Sequence, residues 1–208
     1  MAGRDTSPGA VAEEDVVALL TRRHDEIREL FAAVENAAVG GDSGGDSGGD
    51  SGDDECRAAF RRLVRLLTAH ETAEEEIVHP YARGAVEGGE EIVAARLEEE
   101  RQTGRALLRL ESMDCAGDGR AAFLREFAAL REETEAHTRA EERYEFPPLE
   151  AGGDPEWRRA MAQAVRAAES VAPARPYPAA VPGGGDAAAG PFAAVVDRAR
   201  GALRREER

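Results

Sequence analysis

Apolar residues recur at steps of three and four along four stretches of the chain, roughly residues 13–38, 55–82, 87–112 and 119–145. That spacing returns to the same face once per helical turn, so each stretch reads as an amphipathic α-helix. All four are rich in Ala, Leu, Arg and Glu, which favour helix, and strand-like alternation is nearly absent. Gly88-Gly89, the segment from Cys115 to Gly119, and Pro147-Pro148 punctuate the pattern. It predicts an all-α fold, an up-down-up-down four-helix bundle over residues 13–150.

The remaining segments read differently. Residues 1–12 carry no periodic apolar pattern and are expected to be disordered. Residues 41–54, GDSGGDSGGDSGDD, cannot bury apolar surface, and they predict a flexible loop between the first two helices. Their D-x-x-x-D spacing lacks the alternating ligands and closing Glu of a calcium loop. Residues 151–172 predict an additional helix carrying Trp157, Met161, Val165 and Val171, and 173–190 a linker. Residues 191–208 predict a final amphipathic helix with Phe192, Val195, Val196, Ala199 and Leu203 on one stripe. Its arginines (Arg198, Arg200, Arg204, Arg205) leave two roles open: packing back on an acidic bundle, or docking a protein partner.

Charge narrows the function classes. Arg supplies all 27 basic residues against 42 Asp and Glu, for a net charge of −15. A nucleic-acid binder or a protein docking on anionic lipid needs a basic face instead. No apolar run approaches the roughly 20 residues that span a bilayer, and MAGRDTSPGA has no apolar signal core. Two cysteines, Cys56 and Cys115, are too few for a disulfide framework. These features predict a soluble, cytoplasmic protein, with a monomer as the simplest assembly.

The informative feature is what interrupts the apolar stripes. The first runs Val16, Val17, Leu20, His24, Ile27, Phe31, Val34; the second runs Phe60, Leu63, Leu66, Leu67, His70, Glu74, Ile77. The third is Val93, Leu97, Glu100, Gly104, Leu107, and the fourth Phe123, Phe127, Leu130, Thr134, His137, Glu141, Tyr144. Three histidines and three glutamates thus converge at mid-bundle depth, and no Arg falls on the stripes near the centre. Buried charges are paired or coordinate metals, so a cation is the economical solution. His70-x3-Glu74 and His137-x3-Glu141 each put two ligands one turn apart on one face. Mixed imidazole and carboxylate ligation suits iron or manganese, with zinc as an alternative. Thiolate sites are excluded for want of paired cysteines.

The order His24, His70-E-T-A-Glu74, His137-T-R-A-Glu141 resembles the hemerythrin-like, or HHE cation-binding, domain family over about residues 13–150. "LLTRRHDEIRELF", "LLTAHETAEEEIVHPYAR", "EEERQTGRALLRLE" and "EAHTRAEERYEFPPLE" carry the likeness, and the C-terminal stretch resembles tails of actinobacterial members. The resemblance implies a non-haem site with two bridged iron ions, His24, His70 and His137 as terminal ligands and Glu74 and Glu141 as bridges. The third helix departs from the family pattern. Glu100 stands where the family usually has His, and Gly104 where oxygen carriers have another. An added carboxylate favours the ferric state, and Gly104 is expected to leave an open coordination position or a channel. Both shift the expectation from reversible oxygen carriage toward iron, oxygen or peroxide binding and sensing. Two alternatives are a peroxidase- or catalase-like oxidative enzyme at the same site and a metal-free interaction module.

Other residues rank lower. Glu71 and Glu99 are reserve ligands beside His70 and Glu100. Tyr144 is expected to cap the core beside Glu141. His79 lies nine residues beyond His70, which at about 100° per residue is the opposite side of a regular helix. It therefore reads as surface.

Overall fold

Residues 14–40, 49–176 and 191–206 are described by a computed structural model of the chain. The predicted disordered N-terminus, the part of the Gly/Asp/Ser loop at 41–48 and most of the linker, 177–190, lie outside the described residues. The bundle is formed by α1 (Val16–Gly40), α2 (Gly49–Ala73) with its continuation, α4 (Gly89–Glu111) and α5 (Arg120–Tyr144). α2 runs into a π-helical turn, Glu74–Val78, and then α3, His79–Ala85. A 3-10 turn, Gly117–Gly119, precedes α5, while α6 (Phe146–Gly152), α7 (Pro155–Val171) and α8 (Pro191–Glu206) follow it. Among the described residues no helix is long and apolar enough to cross a membrane.

α2 starts at Gly49, inside the Gly/Asp/Ser repeat, six residues before the expected position. One pair within the helix and one contact from another segment offset the poor intrinsic propensity. The Asp53 carboxylate pairs with Arg57 at 3.3 Å and accepts from Cys115 Sγ at 3.4 Å. Between α3 and α4 the chain reverses at Gly88, whose φ of 71° suits glycine.

The core consists of two apolar clusters with a polar layer between them. One gathers Ile27, Phe31, Leu63, Leu67, Leu107, Phe123 and Phe127, among others. The other gathers Val16, Leu20, Ile77, Val78, Phe146, Leu149, Trp157 and Met161. α7 is fixed at its start by Asp154, which accepts from the backbone N–H groups of Glu156 at 2.9 Å and Trp157 at 2.8 Å. It packs against α1, α2 and the π turn and closes that end of the bundle.

The π turn has a local cause. Pro80 has no N–H to offer the Glu76 carbonyl, so the regular ladder fails there. The backbone N–H of His79 instead reaches five residues back to the Glu74 carbonyl. Arg200 of α8 satisfies the Glu76 carbonyl through Nε at 2.8 Å and pairs with the Glu76 carboxylate. With Val196 and Leu203 buried in the second cluster, α8 packs back on α7 and the π turn. Of its two expected roles, this is the packing one. Arg200→Ala should therefore destabilise the fold by about 1 kcal/mol, the usual net worth of such a bond when partly exposed. Thermal unfolding of the variant beside the unaltered chain measures it.

Candidate metal centre

The polar layer holds all six residues that the interrupted stripes single out. His24 is fully buried on α1; His70 (α2) and Glu74 (π turn) are 1% exposed, Glu141 (α5) 2%, His137 (α5) 6% and Glu100 (α4) 8%. They form two groups whose potential ligand atoms lie within 4.8 Å of one another: His24, His70, Glu74 and Glu141; and Glu74, Glu100 and His137. Glu74 belongs to both groups. Glu141 also spans them, with Oε2 3.4 Å from His24 Nε2 and Oε1 3.1 Å from His137 Nε2.

Two histidines are aimed from behind. His24 Nδ1 donates to Glu142 Oε1 at 2.8 Å, and Arg28 donates to the same oxygen at 2.8 Å. His137 Nδ1 donates to Glu99 Oε2 at 2.9 Å, and Arg96 donates to that oxygen at 2.5 Å. Each ring is thus held by a carboxylate that is itself held by an arginine, with Nε2 directed inward. That is how metal-binding imidazoles are commonly oriented. The His24 ring also stacks on Phe146 and meets His70 edge-on, with centroids 5.4 and 5.0 Å away.

The inward atoms lack hydrogen bonds. His24 Nε2, both nitrogens of His70, His137 Nε2, Glu74 Oε2 and Glu141 Oε2 are buried without a hydrogen-bond partner. Leaving so many polar atoms unsatisfied in one layer is costly, and a cation would satisfy them together. The electrostatics agree. Burial, reinforced by the Glu141 charge, pushes the Glu74 carboxyl well above its usual value. Burial does the same to Glu100. Burial and then the neighbouring His24 hold His70 well below its usual value, so it stays neutral and able to ligate. Burial opposes charge on both members of the His137–Glu141 pair. Their attraction overcomes it, raising His137 to about 12 and holding Glu141 well below its usual range. Without a cation, protons do the work of neutralising the carboxylates.

Several expectations need correction. Glu99 sits behind His137 instead of joining either group, and Glu71, partly exposed, belongs to neither. Gly104 opens no channel: a Cβ there would meet Pro176 at 3.3 Å, so glycine makes room for the chain leaving α7. Tyr144 is 55% exposed and caps nothing; the fourth stripe ends on buried Glu145, four residues beyond Glu141. His79 is not on the surface but 1% exposed. The π turn absorbs one extra residue, so nine residues advance the helix by about eight regular steps, roughly 80° from the His70 direction instead of 180°. Pro80 was the available signal for that irregularity.

Burial, and then the Glu141 charge, push Glu145 up to about 7. The folded metal-free chain then keeps a proton that the unfolded chain has released between its ordinary value of 4.5 and about 7. The unfolded state binds fewer protons in that window, so stability falls as pH rises through it. Glu145→Gln removes this loss. In chelator its stability should match that of the parent near pH 4 and exceed it increasingly toward pH 8, by up to about 3 kcal/mol, with a correspondingly higher melting temperature. Parallel pH-dependent melting curves check this.

A family model described as the hemerythrin HHE cation binding domain matches residues 15–149. Neither the curated proteins nor the solved structures gave a significant match. With this match running through all four bundle helices and around a buried His/Glu layer able to hold a metal, the chain belongs to the hemerythrin HHE cation-binding family.

Proposed function

We propose that this protein is a non-haem di-iron protein that binds or senses iron, oxygen or peroxide through its bundle core. One observation carries the reading. Six buried side chains from all four bundle helices gather in two groups that share Glu74, and five of them (all but Glu100) present nitrogen or oxygen atoms that lack a hydrogen-bond partner. In this reading His24 and His70 would hold one ion, and His137 and Glu100 the other. Glu74 and Glu141, which reach both groups, would be shared between them.

A bound iron pair would supply reversible one-electron chemistry and affinity for oxygen or peroxide. The residues supply the rest. Glu142 and Glu99 hold Nδ1 of His24 and of His137, so Nε2 is the atom each ring would offer to a metal. With their protons displaced by a cation, Glu74, Glu100 and Glu141 would offer three carboxylates beside three imidazoles, a hard donor set that favours ferric over ferrous iron. The two apolar clusters keep bulk water from both ends of the layer. Acidification should release metal, because the histidines and carboxylates must shed protons to ligate. The apolar stripe of α8, committed to α7, argues against a metal-free docking module.

Purified protein loaded with ferrous iron, free of chelating tags, should carry about two irons per chain by elemental analysis. On oxidation it should develop near-ultraviolet charge-transfer absorption. His70→Ala should abolish both, and chelation should lower the melting temperature, since a ligand bound only to the native state stabilises it. Consumption of added peroxide by loaded protein, lost in His70→Ala, would mark an oxidative enzyme. Zinc or manganese at full occupancy with iron rejected would reassign the metal. No metal under any loading condition overturns the reading.

A further inference from the structure

A fourth histidine stands directly behind the layer. His79 Nε2 donates to Glu100 Oε1 at 2.6 Å, the shortest histidine–carboxylate contact among the described residues. Its other nitrogen, Nδ1, lies 4.0 Å from Glu145, whose carboxylate is 3.6 Å from Arg96 Nε. A line of alternating charge capacity, Glu100–His79–Glu145–Arg96, thus leads away from the layer. The π turn supports it, since the His79 backbone N–H bonds the carbonyl of Glu74, itself one of the six.

Glu100 needs such support more than the others. It is the one residue of α4 in either group, because Gly104 faces Pro176. A glutamate has more rotatable bonds than a histidine, and burial opposes its charge. A short bond from an imidazole N–H fixes one carboxylate oxygen and favours the ionised form. The same carboxylate still lies within 4.8 Å of the ligand atoms of Glu74 and His137.

We propose that His79 is a positioning residue for the metal site, holding Glu100 in its ligating orientation so that the Glu74–Glu100–His137 half depends on the π turn. The inference rests on the di-iron reading above. His79 carries the proton to Glu100 and does not itself ligate.

The test compares His79→Phe, which keeps a ring but has no donor, with His79→Gln, whose amide N–H can still reach Glu100. Full-length protein is titrated with ferrous iron, and iron content, near-ultraviolet absorption and the melting temperature of the metal-free form are recorded. His79→Phe should keep one iron and bind the second about 10- to 100-fold more weakly, the usual cost of losing a partner behind a ligand. His79→Gln should recover most of that affinity. Two tightly bound irons in His79→Phe overturn the inference and leave the di-iron reading standing. Loss of both irons in both variants, with a matching fall in the metal-free melting temperature, shows a merely structural role and also overturns it. A wild-type chain that takes no iron overturns both. If His79→Phe does not fold, nuclear magnetic resonance of the zinc-loaded wild type decides. A slowly exchanging, far-downfield Nε2 proton on His79 supports the inference, and a deprotonated Nε2 overturns it.

Discussion

An apolar helix bundle cannot leave three carboxylates and three imidazoles facing one another without compensation. Each uncompensated buried charge costs several kcal/mol, comparable with the whole stability of a domain this size. The rest of the molecule is arranged around that constraint. The two apolar clusters carry the packing, so the layer between them is free to be polar. Arginines stay out of the layer and instead hold the outer carboxylates: Arg28 on Glu142, and Arg96 on Glu99. What remains inward is a cage of carboxylates and imidazoles whose demand for positive charge is met by protons or by a cation.

The segments after the bundle serve the same layer. α6 brings Phe146 against the His24 ring, and α7 seals the end of the bundle beyond it. α8 reaches the π turn through Arg200, supplying the bond that Pro80 cannot. The C-terminal helix is thus two short steps from the site, through Glu76 to the turn that carries Glu74 and leads into His79. A tail that reads in isolation as a spare amphipathic helix becomes part of the scaffold of the centre.

Much of this was legible in the sequence, for a physical reason. Steps of three and four report which face of a helix is buried, and His24, His70, Glu74, Glu100, His137 and Glu141 interrupt faces that are otherwise apolar. The four bundle helices, and the residues that meet at their centre, follow from that periodicity. What it missed depends on departures from regular geometry or on contacts between helices. His79 came inward because a π turn changes the angle per residue. Glu142 and Glu99 face histidines on other helices, a relation no single stripe encodes. Tyr144 and Glu145 are neighbours in sequence, and the stripe alone chose the wrong one. Gly104 looked like a gap because the Pro176 that covers it is distant in sequence.

On the proposed reading the polar layer holds two cations, shared through Glu74 and Glu141. Anomalous X-ray diffraction at the iron edge from crystals of iron-loaded protein tests it most directly. The account predicts two peaks in the core, one beside His24 and His70 and the other beside His137 and Glu100. A single peak on the surface, or none in the layer, would contradict it.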